Sequence, residues 1–277
     1  MGSVASRLYR RGLRAVETTG LKPVLRPLYR SWTDLRYRLD GDTYEVEIGG
    51  ASARFRIPTR NEWTDFRTID ERPVLAHLVS NLRPDDVFYD VGANLGLYAC
   101  LAADVVTEPV AAFEPHPDNA DRLEANADLN GAAVSTHRCA LADATGDAEL
   151  EIALDKVGSA GHALASDSAS GGDRIAVPKV RGDELVAREA LPRPTVLKID
   201  VEGAERAVLD GLETSLSRPD CRLVYCETHA ERLEERGSSV ADVRDALESH
   251  GFAVTEHAVR EGRGESMLVG TKSSGTE

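Results

Sequence analysis

Several features that would restrict the function of this chain are missing from its sequence. No apolar run approaches the roughly 18 to 20 residues that a membrane-spanning helix needs. The basic N-terminus is not followed by the apolar segment of a secretory signal, so we expect a cytoplasmic protein. The four cysteines include no C-x-x-C pair, which argues against a zinc or redox motif and favours buried free thiols. They are Cys100, Cys139, Cys221 and Cys226.

Positive charge is also scarce. The 277 residues hold 33 lysines and arginines against 47 aspartates and glutamates, a net charge of −14, and only five of the bases are lysines. Such an acidic, lysine-poor surface is similar to those of proteins from salt-loving organisms, where ions screen the repulsion and carboxylates keep the surface hydrated. This balance indicates an environment rather than an activity.

The bases that are present concentrate at the N-terminus. Residues 1–38 hold nine basic and two acidic residues, a net charge of +7, which leaves −21 for the remainder. Val4, Leu8 and Val16 recur at helical spacing and predict a marginal amphipathic helix. Such an arm could bind an anionic membrane surface through residues 1–32, or pack on the acidic body of its own chain or of a second subunit. We expect no nucleic-acid partner, because the acidic body would repel phosphates.

Beyond the arm, the hydrophobic pattern predicts an α/β protein. Residues 39–69 contain short strand patterns and turns and are expected to form a small β preamble. From residue 70 onward, predicted strands alternate with helices: "VFYDV", "PVAAFEP", "AAVSTHRCALAD", "TVLKIDV" and "CRLVYCETH", followed by "AVTEHAV" and "SMLVGT" as an antiparallel pair. "AELEIAL" and "DRIAVPKV" form a further predicted pair. The alternation favours a doubly wound, mostly parallel seven-stranded sheet in one large domain over residues 70–277.

Acidic residues are predicted at the carboxyl ends of four strands, the edge where open α/β sheets bind ligands. They are Asp90, Glu114, Asp200 and Glu227. Asp90 precedes a turn from Gly92 to Gly96 that lacks the middle glycine of the dinucleotide-binding pattern. A carboxylate there would repel a pyrophosphate but attract an ammonium group, while Glu114 can accept both hydroxyls of a ribose. S-adenosylmethionine has a ribose, a cationic amino-acid part and no phosphate, and therefore fits both acids.

These motifs also occur in the order and spacing of a known family. "FYDVGANLGLYA", "AFEPHPDNADRLEANADLN", "ALAD" with Gly146, "VLKIDVEGAERAVLDG" and "ETH" together resemble the FkbM-type methyltransferases over about residues 85–270, with "KIDVEGAE" as the most specific part. The resemblance implies a class I methyltransferase fold, S-adenosylmethionine as methyl donor, and O-methylation, often of sugar hydroxyls. It also implies the cofactor-binding residues: Asp90, Gly92, Ala93, Asn94 and Gly96 at the methionine end, Glu114 at the ribose, and Ala140 and Asp143 beside the adenine.

The catalytic candidates follow the fourth and fifth strands. Methyl transfer is an in-line displacement that depends on positioning, and a base that removes the proton of a hydroxyl acceptor adds to the rate. Asp200, Glu202 and His229 are the candidates, with Asp200 first because of its place at the strand end. Alternatively, Asp200 orients the cofactor and Glu202 caps the next helix. Lys198 faces the same side as Asp200 and is expected to pair with an acid. With Glu227, the three candidates would also suit Mg²⁺ or Ca²⁺, but acidic composition alone produces such clusters, so no metal is predicted.

Two other functions remain open. A nicotinamide-dependent oxidoreductase could use the same fold, but the missing second glycine and the acid at Asp90 disfavour a pyrophosphate ligand. A nucleic-acid methyltransferase could use the basic arm, but no Asn/Asp-Pro-Pro-aromatic motif follows the fourth strand. The sequence therefore favours a methyltransferase for a small-molecule or glycan acceptor, which could be lipid-linked, without naming the acceptor or the oligomeric state.

Overall fold

The computed structural model describes residues 22–152, 163–164, 173–258 and 265–272. The amphipathic stretch predicted near the N-terminus lies outside these residues. The chain divides into two units: residues up to Tyr44 with Ile57–Arg67, and Glu45–Arg56 with the chain from Thr68 onward. None of the helices in the described ranges combines the length and the apolar character that a transmembrane segment requires.

The first elements of the described part of the chain are two helices and a hairpin. They are α1 (Lys22–Asp40), β1 (Thr43–Ile48), β2 (Ala51–Arg56) and α2 (Arg60–Arg67). Within the first unit, the Trp63 indole donates a hydrogen bond to Asp40 at 2.7 Å. Helix α2 lies inside the segment predicted as a β preamble. Its buried Trp63 and Phe66 share one helical face, but eight residues are too few for a helical period to be evident in the sequence.

The second unit continues with eleven strands and eight helices among the described residues. The strands are β3 (Phe88–Val91), β4 (Val110–Phe113), β5 (Val134–His137), β6 (Ala140–Ala142), β7 (Gly146–Ile152), β8 (Ala163–Leu164), β9 (Asp173–Arg181), β10 (Val196–Ile199), β11 (Leu223–His229), β12 (Ala253–Ala258) and β13 (Glu265–Thr271). The helices are α3 (Arg72–Asn81), α4 (Leu97–Ala103), α5 (Pro117–Asn130), α6 (Gly182–Arg188), α7 (Glu205–Gly211), α8 (Glu213–Leu216), α9 (Ala230–Glu235) and α10 (Val240–Ser249).

Seven of these strands form the central sheet, in the order β12-β13-β11-β10-β3-β4-β5. Five adjacent strands of this sheet, β11, β10, β3, β4 and β5, run parallel to one another. Strand β13 is antiparallel to both β11 and β12. Every residue of β3, β4 and β10 is buried, as expected for parallel strands covered on both faces. The predicted fold class is confirmed, including the antiparallel last pair. All four cysteines are buried and free, also as predicted.

A second sheet contains β6, β9, β7 and β8 in that order. Strand β9 is antiparallel to β7, which confirms the predicted pairing of these two segments, and parallel to β6. The stretch "AAVSTHRCALAD", predicted as one strand, is divided between the two sheets. The backbone N–H of Cys139 donates to the carbonyl of His137 at 2.9 Å, so the chain bends there and β6 leaves the central sheet. The prediction of a single third strand is therefore wrong.

The hairpin of β1 and β2 turns at Gly49 and Gly50, as the sequence predicts, and its edge is closed by one side chain just after α4 and one on α5. Backbone N–H groups of Ser52 and Arg56 donate to Asp104 and Asn126 at 2.8 and 2.9 Å. These bonds satisfy donors that an edge strand would otherwise leave to solvent.

Candidate active site

A cleft of about 700 Å³, including the part open to solvent, lies at the carboxyl ends of β3, β4 and β10. This is the edge at which parallel sheets bind ligands. Of the predicted cofactor residues, Gly92, Asn94, Glu114 and Ala140 line the cleft, and of the predicted catalytic residues, Asp200 and Glu202 do so. Asp90, Ala93, Gly96, Asp143 and His229 are not among its lining residues.

The turn after β3 is shaped by close backbone packing at Gly92. A Cβ atom at this position would lie 1.8 Å from the carbonyl oxygen of Asp200, and the φ angle is +77°. The N–H groups of Gly92 and Ala93 both donate to the carbonyl of Phe113, at 3.0 and 3.1 Å. Because only glycine allows this approach, the turn brings the ends of β3, β4 and β10 together at the floor of the cleft.

Glu114, at the end of β4, organises the loops on either side of it. Its carboxylate accepts hydrogen bonds from the backbone N–H groups of Asn94 at 2.8 Å and His116 at 2.9 Å. Burial raises the pKa of Glu114 to about 7, although these two hydrogen bonds and the charge of Lys198 oppose the shift. A carboxylate has about four acceptor positions, so two remain for the hydroxyls of a ligand.

Asp90 lies beneath the cleft rather than on its wall. It is fully buried, and neither carboxylate oxygen accepts a hydrogen bond of ordinary geometry from the described part of the chain. In the parallel register it pairs with Lys198 on β10, whose Nζ lies 3.9 Å from Asp90 Oδ1. Burial raises the pKa of Asp90 to about 6, although the Lys198 charge opposes the shift.

Lys198 is the buried cation at the centre of this region. Its Nζ lies 3.2 Å from Asp200 Oδ2 and 3.3 Å from the carbonyl oxygen of Gly92, which confirms the prediction that it pairs with an acid. Burial lowers the pKa of Lys198, but the surrounding carboxylates, Asp200 and Asp90 foremost, raise it further than burial lowers it. The lysine therefore stays charged and fixes one oxygen of Asp200.

The three predicted catalytic side chains lie together beside the cleft. His229 Nε2 is 3.5 Å from Glu202 Oε2 and 3.9 Å from Asp200 Oδ1, while Nδ1 is 3.2 Å from Glu205 Oε1. Glu202 adopts a φ of +53°, unusual for a side chain other than glycine, in the turn between β10 and α7. This turn places a carboxylate opposite the end of β11, which carries His229.

The electrostatics of this cluster favour carboxylates as proton acceptors. Burial lowers the pKa of His229 because it disfavours the charged imidazolium. The hydrogen bond to Glu205 and the charges of Asp200 and Glu202 outweigh burial and raise this pKa to about 9. Without a cation beside it, the imidazole would therefore hold its proton at neutral pH and act as a hydrogen-bond donor. Burial and the charge of Asp200 raise the pKa of Glu202, which makes this carboxylate more basic.

Comparison with known proteins identifies the family. Residues 90–254 match the family model described as the methyltransferase FkbM domain. The hexuronic acid methyltransferase AglP of Haloferax volcanii is 33% identical over 202 residues, which cover 73% of this chain and 80% of that protein. The 31-O-demethyl-FK506 methyltransferase FkbM of Streptomyces tacrolimicus is 33% identical over 213 residues, covering 66% and 78% of the two chains. This chain belongs to the FkbM methyltransferase family.

Among solved structures, the methyltransferase FkbM of Methylobacillus flagellatus is similar at 15% identity and a TM-score of 0.48. The alignment covers 69% of this chain and 44% of that one, so this chain spans less than half of that protein.

As an FkbM-family protein, the chain is a methyltransferase that uses S-adenosylmethionine. The cleft residues fit this cofactor. Asn94 Oδ1 is buried without a hydrogen-bond partner in the described ranges and its residue lines the cleft, so a polar acceptor remains for a ligand with donor groups. Glu114 would hold the ribose, and Asn94 would contact the methionine part.

Sequence reasoning missed several members of the site. Phe113, Asn119, Leu150 and Leu164 also line the cleft, the last two from the second sheet, which no sequence pattern connects to the cofactor. Glu205 is fully buried behind His229. Its spacing of three residues from Glu202 across the start of a helix is a signal that could have indicated its place in the cluster.

Proposed function

We propose that this FkbM-family protein methylates an oxygen atom of a sugar, either free or within a glycan, and that an acidic sugar is the first acceptor to test. The observation that carries the proposal is the convergence of Asp200, Glu202 and His229 beside the cofactor cleft. Sugars present adjacent hydroxyl groups, and such a cluster offers acceptors and a donor to more than one of them. The similarity to a hexuronic acid methyltransferase supports the same acceptor class.

In the proposed mechanism, the chain positions the acceptor and takes its proton. S-adenosylmethionine, when bound, supplies an electrophilic methyl group and retains the electron pair of its carbon–sulfur bond. Lys198 holds one oxygen of Asp200, and the other oxygen faces the cluster, on a side chain that is 27% exposed. In this proposal, Asp200 orients the acceptor hydroxyl and accepts its proton, and Glu202 accepts a hydrogen bond from a neighbouring hydroxyl.

An isotopically labelled methyl donor tests the acceptor class. Labelled product should form with hexuronic acids or their glycosides, and in cell extracts it should partition into the glycolipid, glycoprotein or small-molecule pools. Asp200→Asn keeps the shape of the side chain and should lower turnover roughly 100-fold with little change in S-adenosylhomocysteine affinity. Asp245→Asn, an exposed change of the same charge on α10, is the control.

Two results would contradict this proposal. Label that enters only the RNA pool would exclude a free sugar or a glycan as the acceptor. A variant at Asp200 that loses cofactor affinity but keeps its turnover at saturation would make this residue an orienting group for the cofactor.

We also propose that the basic N-terminal arm meets an anionic membrane, where a lipid-linked acceptor would be found. Within α1, Trp32, Leu35 and Leu39 are 49%, 56% and 71% exposed, and their spacing places them on one side of the helix. Exposed apolar side chains among arginines are typical of helices that lie in a membrane interface. This contact would supplement the enzyme activity and is not required for cofactor binding.

A further inference from the structure

His229 is oriented as histidine ligands of metal ions are. Its side chain is 10% exposed, and its Nδ1 lies 3.2 Å from Glu205 Oε1, a fully buried carboxylate that also accepts from the N–H of Gly203 at 2.9 Å. Metal-binding histidines usually donate their second ring N–H to such a carboxylate, which fixes the ring and its tautomer. The arrangement directs Nε2 toward Glu202 and Asp200.

The distances from Nε2 are too long for good hydrogen bonds but suit a shared ion. Nε2 lies 3.5 Å from Glu202 Oε2 and 3.9 Å from Asp200 Oδ1. The ligand atoms of these three residues all lie within 4.8 Å of one another. A divalent ion about 2.1 Å from each ligand keeps neighbouring ligand atoms about 3 to 3.5 Å apart. A contraction of at most about 1 to 2 Å between ligand atoms would therefore complete the site.

A buried carboxylate with one unpartnered oxygen lies near this cluster, close enough to interact with the charges of Asp200 and His229. Glu227 is 4% exposed, and its Oε2 has no hydrogen-bond partner within the described ranges. It lies two residues before His229 on β11, so both side chains project from the same face of the strand. The parallel register pairs Ile199 with Cys226, which places Asp200 opposite Glu227. An unpaired buried carboxylate is costly, and a nearby cation would offset that cost.

We infer that Asp200 Oδ1, Glu202 Oε2 and His229 Nε2 bind a divalent cation of the Mg²⁺ or Mn²⁺ class beside the methyl-donor cleft. Two carboxylates and one imidazole form a ligand set that Mn²⁺ accepts readily. Lys198 engages Asp200 Oδ2, which leaves Oδ1 for the ion, and an Asp200 that binds the ion serves as a ligand rather than as the proton acceptor.

Three protein ligands leave coordination positions open for an acceptor. Two adjacent oxygen atoms, from vicinal hydroxyls or from a carboxylate and its neighbouring hydroxyl, would fill them. This acceptor role rests on the proposed function, whereas the binding of the ion does not.

Titration of the full chain with Mn²⁺, followed by electron paramagnetic resonance, tests the site without any acceptor. The protein is loaded with S-adenosylhomocysteine at working salt. We expect one bound Mn²⁺ per chain, displaced by Mg²⁺. Glu202→Gln and His229→Gln should each weaken Mn²⁺ binding at least tenfold, and Glu205→Gln by about tenfold to 100-fold through loss of the orienting hydrogen bond. Asp245→Asn should bind Mn²⁺ as the wild type does.

Two controls keep the result interpretable. Melting temperature and S-adenosylhomocysteine affinity are measured for every variant, and a loss of Mn²⁺ binding counts only where the fold and the cofactor affinity are retained. Absence of saturable Mn²⁺ binding in the wild type, or unchanged binding in both Glu202→Gln and His229→Gln, would overturn the inference and leave a histidine–carboxylate hydrogen-bond cluster. A chain that binds Mn²⁺ as expected but methylates no sugar would refute the acceptor and not the ion.

Discussion

Replacement of Glu114 by alanine would separate two roles of this carboxylate. In the fold, it accepts hydrogen bonds from the N–H groups of Asn94 and His116, at 2.8 and 2.9 Å. In the complex, it is expected to accept the ribose hydroxyls of the cofactor. The alanine variant leaves both N–H groups without their acceptor, which lowers the free energy of unfolding by about 1 to 3 kcal/mol for each.

Burial of the carboxylate acts in the opposite direction. It raises the pKa of Glu114 from 4.5 to about 7, so ionised Glu114 costs the folded state a free energy that appears as the pH rises through this interval. At 1.36 kcal/mol per pKa unit, this cost is about 3 kcal/mol above pH 7. The alanine variant is relieved of it, and the two effects partly cancel. We therefore expect the free energy of unfolding of the ligand-free variant to fall by no more than about 3 kcal/mol.

Cofactor binding has no such compensation. Loss of the hydrogen bonds to the ribose should weaken S-adenosylhomocysteine binding by about 1 to 3 kcal/mol, or about fivefold to 150-fold. Calorimetric titration at pH 8 measures the affinity, urea unfolding measures the stability, and Asp128→Ala on the exposed side of α5 is the control. Unchanged affinity in a folded variant would refute the ribose assignment, and a large loss of stability without ligand would refute the cancellation.

The remaining predictions concern backbone packing, pH and the arm. Gly92→Ala places a Cβ against the Asp200 carbonyl at a positive φ and should lower the free energy of unfolding by at least about 3 kcal/mol. Gly131→Ala also has a positive φ but open space around the Cβ, and should lower the free energy of unfolding by only about 1 kcal/mol. Equal losses of unfolding free energy for the two variants in urea would show that the backbone can move to accommodate a Cβ between residue 92 and the Asp200 carbonyl. The S-adenosylhomocysteine affinity should fall about tenfold from pH 8 to pH 6, because Glu114, with a pKa near 7, must be ionised to accept both hydroxyls. In Glu114→Gln, the affinity should depend much less on pH. A flat wild-type profile in calorimetry would contradict that role. Deletion of residues 1–32 together with Leu35→Ser and Leu39→Ser should release the protein from anionic vesicles without changing cofactor affinity. An unaltered chain that never sediments with vesicles would favour docking of the arm on its own body.

The sequence alone determined the fold class and the edge of the sheet that carries the site. Short apolar runs alternating with helical patterns are local features, and they predict a parallel sheet regardless of which strands pair. The acids that end these runs, Glu114 and Asp200 among them, are read from the same local pattern. The turn at Gly92 is also predicted from consecutive residues, although the approach of Gly92 to the Asp200 carbonyl is a tertiary contact.

The tertiary structure decided what each acid contacts. Asp90 is placed beside Lys198, and so beneath the cleft rather than on its wall, by the register of two strands more than 100 residues apart. His229 meets Glu205 only because the strand order sets β11 next to β10, and their separation of 24 residues has no helical or strand period. The bend at Cys139 likewise depends on β9, a pairing partner about 40 residues further along the chain. Pairings between distant segments depend on the free energy of the whole assembled sheet, and no local pattern of residues encodes them.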